Sequence, residues 1–163
     1  EISECEACHG NHKIVSPTDE MLGIGEEAVC IQCHDPDTKP YLIASDIKKK
    51  LDGFIEKIEI ADNLLEQADR EGVEVSEPKF KLTEANTALI FARNLIHSFS
   101  LAEIEEKVQE GEIVADEVIQ AGEAALREAK FRKTGLIIAT AFIFLFAMAL
   151  YLKIRQIDKK TSA

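Results

Sequence analysis

Two short runs of the chain repeat one pattern, Cys5-Glu6-Ala7-Cys8-His9 and Cys30-Ile31-Gln32-Cys33-His34. Each places two thiols three residues apart and an imidazole directly after the second. Thiols at that spacing can bond to the edge of a porphyrin, and the adjoining histidine can then ligate its iron. C-x-x-C-H is thus the attachment signature of a c-type haem. All four cysteines lie in these motifs, and the histidines left over are His12 and His97. Two irons with histidine on both faces need four histidines, and the chain has 4. The expectation is two haem c groups and one-electron transfer.

Other uses of the cysteines fit less well. Two C-x-x-C pairs separated by 21 residues are close to zinc-ribbon spacing. Zinc gives no reason for a histidine after each pair. Two disulfides leave the histidines equally unexplained. A thioredoxin-like redox pair wants a βαβ context, and no strand-rich pattern surrounds either motif.

His9 and His34 are the expected proximal ligands. His12 lies too close behind His9 to swing to the far face of the same haem, but it can reach a neighbouring one. It is therefore assigned to the second iron, opposite His34. His97 then falls to the first iron, opposite His9, with Met21 as the alternative. Arg93, one turn before His97, is a candidate partner for a propionate.

The elements that must position these groups are mostly helical. Residues 1–41 are loop-rich and too short for a core of their own, so covalent haems would serve as one. From Ile47 the apolar residues Leu51, Phe54, Ile58, Ala61, Leu65 and Ala68 recur at alternating spacings of three and four, a helical seam that stops near Gly72. The stretch through Pro78 reads as a connection. A second seam runs Leu82, Ala85, Leu89, Ala92, Ile96, Phe99, with its start at Thr83 and Glu84. Breaks are expected at Ser98–Ser100 and at Glu110–Gly111. Val114, Val118, Ala121 and Ala125 begin a third helix that can run on into the apolar segment. A hairpin turning near Glu77 puts His97 opposite Lys57, about 20 Å along the axis from where the module enters at Ile43. The module must then lie alongside the hairpin, or the second helix must bend.

Residues 135–152, GLIIATAFIFLFAMALYL, carry no charge over 18 residues, the lower bound for a membrane-spanning helix. Tyr151 sits near one end as an interfacial aromatic. Lys130, Arg132 and Lys133 precede the run; Lys153, Arg155, Lys159 and Lys160 follow it. With haem attachment outside the cytoplasm, this predicts an extracytoplasmic N-terminus, one span of the inner membrane and a short cytoplasmic tail. The span has no histidine and so no pair to hold haem b. The net charge of −11, with basic residues at the span, concentrates acid in the N-terminal part and disfavours nucleic acid. The start at Glu1, without Met, suggests a processed chain or a fragment.

Residues 1–36, with CEACHGNH, PTDEMLG and AVCIQCH, resemble the paired C-x-x-C-H modules of multihaem cytochromes c, including the class III and doubled-motif families. The hairpin and the ending YLKIRQIDKK look like membrane-bound members of that group. The resemblance implies low-potential bis-histidine haems close enough for fast electron exchange.

The expected fold is mostly α. A dihaem module (1–41) leads to a long antiparallel hairpin (42–111), a juxtamembrane helix (112–134), a transmembrane helix (135–152) and a cytoplasmic tail (153–163). The expected role is electron relay with other cytochromes or redox subunits, in a multi-subunit complex or oligomer. The alternatives are a haem enzyme with one five-coordinate iron, a haem-based sensor and a zinc-ribbon structural subunit. Nothing else catalytic stands out: there is no Glu-x-x-His pair and no Gly-rich phosphate loop.

Overall fold

The computed structural model describes residues 4–13 and 16–161. Glu1, the expected start of a processed chain, and Ser162 and Ala163 of the expected tail lie outside them. Among the described residues the regular structure is entirely helical: α1 (Cys5–His9), α2 (Lys39–Arg70), α3 (Ser76–Leu95) and α4 (Leu101–Thr161), with 3-10 turns at Asp19–Met21, Cys30–Gln32 and Ile96–Ser98.

The expected seam of α2 is its buried face. Ile47, Leu51, Phe54, Ile58, Ala61, Leu65 and Ala68 are all buried. Pro40 in the first turn removes an N–H that has no helical partner there. The helix ends at Arg70, before Gly72, as the spacing predicts. The connection is shorter than expected. α3 starts at Ser76, not near Thr83, and Pro78 sits in its first turn, where a proline is tolerated. Lys79 ties the turn to Asp69 at 2.6 Å.

Leu82, Ala85, Leu89 and Ala92 are buried, and Ile96 is half-buried. Phe99 leaves this seam. It adopts left-handed backbone (φ 52°) and is 61% exposed, because the chain turns there into α4. The expected break at Ser98–Ser100 is therefore present, with the Ser100 carbonyl accepting from the N–H of Ile104.

The second expected break is absent. α4 runs through Gly111 and through the expected 111/112 boundary without interruption. Its buried stripe, Ile104, Val108, Gly111, Ala115, Val118, Gly122 and Ala129, faces both α2 and α3. Gly111 belongs to the packing: a Cβ there would lie 2.2 Å from the Phe54 ring and 2.9 Å from Ala88 Cβ. A glycine that reads as a helix breaker is the socket for the largest core side chain. Residues 101–129 and the hairpin thus share one core, a three-helix stalk.

Polar pairs fix the register. Lys50 meets Glu105, Lys57 meets Glu112 and Asp116, and Lys133 meets Glu71, so α2 and α4 run parallel. Lys81 meets Glu117, with α3 running back antiparallel. Beyond Lys130 every described side chain of α4 is exposed. Its apolar stretch, of mean hydropathy 2.4 and unburied, is long and apolar enough to cross a membrane.

Candidate functional site

Both C-x-x-C-H runs are wound into a single helical turn. The first is α1 itself, closed by Gly10, whose N–H donates to the Glu6 carbonyl at 2.9 Å. In the second, the N–H groups of Cys33 and His34 both donate to the Cys30 carbonyl, at 3.3 and 3.1 Å. Residues at i, i+3 and i+4 share one face of a helical turn. The winding therefore gathers both thiols and the imidazole of each motif on one side.

The four thiols are free. Burial, followed by the neighbouring Cys30, Cys33 and Cys5, pushes the Cys8 thiol above its ordinary pKa. The two motifs therefore lie near one another. Among the described residues no three His, Cys, Asp or Glu side chains converge as a zinc cage requires.

The structure brings His97 to His9. The two rings are stacked, with centroids 6.2 Å apart and planes 26° from parallel. A bond from imidazole to metal runs about 2 Å, and a ring centre lies about 1.1 Å behind its nitrogen. Two imidazoles on one metal ion hold their centroids about 6 Å apart with both rings edge-on to it, so the stacked rings have the separation of a ligand pair and would have to rotate to share an iron. His97 Nδ1 lies 3.0 Å from the Asn94 carbonyl, which can only accept. Nδ1 therefore carries the proton, and Nε2 is left as the free donor to a metal, the usual way a ligating histidine is oriented. A shallow open depression at the first motif is lined by Cys5, His9 and Gly10. The residue types at this motif, two thiols and an adjoining imidazole, are those a c-type haem needs.

His97 reaches His9 because the small N-terminal region, here called the head, lies alongside the stalk. The offset expected from a turn near Glu77 is also smaller, because the turn ends at Val75 and Lys79 meets Asp69, which brings His97 nearer the start of α2 than Lys57. Arg93 donates through Nε to Asp19 Oδ1 at 2.9 Å and through Nη2 to Asp19 Oδ2. Arg93, expected as a propionate partner, is the joint between stalk and head. Gly23, with φ 100°, lies so close to α2 that a Cβ would be 3.0 Å from Lys48 Cβ and Cγ. Ala28 is buried, and Leu22 packs on the stalk core.

The other site residues are placed less closely. His12 is exposed, with Nδ1 2.7 Å from Asn11 Oδ1. His34 is exposed too, and among the described residues no ring pair joins it to His12. Met21 closes the first 3-10 turn, half-buried. Sequence reasoning missed Asp19 and the Asn94 carbonyl. Neither carries a local signal, since each acts through a partner that only the fold supplies.

No curated protein and no solved structure matches the chain. Residues 2–39 match the family model of the doubled CXXCH motif, which supports a c-type haem-binding module at the head.

Proposed function

We propose that the chain is a membrane-anchored dihaem cytochrome c that relays electrons between redox partners on the extracytoplasmic face of the inner membrane. Cys5 and Cys8 would hold the first haem, with His9 and His97 as its iron ligands. Cys30 and Cys33 hold the second, with His34 and His12. Residues 135–152 anchor the protein, and residues 153–163 are its cytoplasmic tail. Other cytochromes or redox subunits are its partners, in a larger complex or oligomer. The observation that carries this reading is the match of residues 2–39 to the doubled CXXCH motif, with His97 brought to 6.2 Å from the motif histidine His9 in support.

Haem c, when bound, supplies one-electron chemistry at an iron that both histidines saturate. The protein's work is then to hold and orient. The thiols fix the porphyrin edge, the Asn94 carbonyl sets the His97 tautomer, and the Arg93–Asp19 pair keeps the stalk histidine against the head.

A pyridine haemochrome spectrum of the full chain, made with haem-attachment machinery, should give two haems per chain. Electron paramagnetic resonance should show only low-spin iron, and His97→Ala should convert one haem to high spin. Fewer than two haems, or an unchanged spectrum in His97→Ala, contradicts the assignment. High-spin iron in the unaltered protein would instead fit an enzyme with one open iron, reducing a small oxidised substrate.

A further inference from the structure

The register of the stalk sets how far the head stands from the apolar segment. The head is fastened at one end, by Arg93–Asp19 and by the approach of His97 to His9. That end is where α3 closes and α4 begins, at Leu101. The other end is the hairpin turn, where Glu71 meets Lys133, just before the uncharged run. From Leu101 to Gly135 the helix is unbroken, and 34 rises of 1.5 Å make about 51 Å. The average tilt of a membrane helix, about 20°, lowers that height by only a few ångströms.

The stalk offers no relay across this gap. Between Tyr41 and Tyr151 the chain has no Cys, Trp or Tyr, and its one histidine there is His97, at the head end. The core along the way is aliphatic apart from Phe54. Electron tunnelling falls exponentially with distance, so a span this long without intermediate sites is closed to direct transfer. The head also has a marked charge. Residues 1–41 hold nine Asp and Glu against two Lys. Glu4, Glu6, Glu26, Glu27, Asp35 and Asp37 are all exposed.

We propose that the head exchanges electrons with a basic redox protein that meets it in the water phase, far from the bilayer, and not with a lipid-dissolved quinone. The inference rests on the reading that the head holds haem and that residues 135–152 cross a membrane. An acidic surface attracts a basic partner over a Debye length, raises the encounter rate and makes it sensitive to salt.

The test uses the full haem-loaded chain in liposomes. Flotation with the lipid and a haem spectrum check the underlying reading first, and failure of either takes both proposals down. The chemically reduced protein is then offered two oxidants of higher potential, a lysine-rich soluble cytochrome and a lipid-confined quinone. The soluble cytochrome should oxidise it at a rate that falls at least about tenfold from low to high salt. Replacing Glu26 and Glu27 together with Lys should slow the low-salt rate and leave the high-salt rate alone. The quinone alone should give no resolvable oxidation. Direct oxidation by the quinone in floated, haem-loaded vesicles overturns the inference while leaving the dihaem reading intact. A rate indifferent to salt overturns the choice of a basic partner.

Discussion

The head and the stalk are built on opposite plans. The stalk buries Ile47, Leu51, Phe54, Leu65, Ile104 and Val118 almost completely. In the head, residues 4–38, only Gly23 and Ala28 are buried among the described residues. Apolar burial, at roughly 25 cal/mol per Å², is the main stabilising contribution available to a small domain, and the head has almost none of its own. Its shape depends on its attachment to the stalk and, on the proposed reading, on two covalently held haems acting as its core. The stalk is a scaffold that folds by its own packing. The head is a cargo it carries.

The largest blow to that contrast should come from the stalk core. Phe54→Ala leaves a cavity between α3 and α4 and should cost about 3–5 kcal/mol, read as a lower melting temperature of the helical signal. A loss below about 1 kcal/mol would mean that the three helices do not melt as one unit.

The converse change sharpens the comparison. Replacing Cys30 and Cys33 with Ala should remove one haem and expose residues 16–38 to protease. The helical melting should move by less than about 1 kcal/mol, as for substitutions outside a core. A stalk that unfolds with the head would erase the distinction.

The joint between them should respond more mildly. Arg93→Gln removes a bidentate, partly exposed pair worth about 1 kcal/mol. Its specific mark should be heterogeneity in the low-spin signal of the first haem, as His97 loses its fixed approach. Arg93→Lys should not restore a single signal, because an ammonium cannot reproduce the planar fork.

The smallest effect concerns pH. The hydrogen bond to Asp116, together with Glu112, raises Lys57 above the ordinary lysine value. A folded-state pKa above the unfolded one stabilises fully below about pH 10.4 and is lost as pH climbs through the folded value. The stalk should therefore lose a few tenths of a kcal/mol in strong alkali. Asp116→Asn should flatten that part of the melting-temperature profile.

What could be read along the chain was whatever repeats over a few residues. The face of α2 is written in its spacing of three and four, because a helix returns to the same side every 3.6 residues. The haem-attachment motifs were legible for the same reason, since one helical turn gathers all three groups. The uncharged run at 135–152 needs no partner to be recognised.

The losses came where a local signal had two meanings. Gly111 reads as a break until Phe54 is set against it, and Pro78 reads as a connection until the turn is seen to end at Val75. Phe99 keeps the period of its seam but falls where the chain reverses.

By itself, then, the sequence determined the chemistry of the head, the helical character of the rest and the apolar segment. Tertiary structure alone decided that residues 101–129 complete a three-helix stalk, that Arg93 grips Asp19, and that His97 comes to lie 6.2 Å from His9. Those contacts depend on how far one helix slides along another, and no periodicity within a single helix records that register.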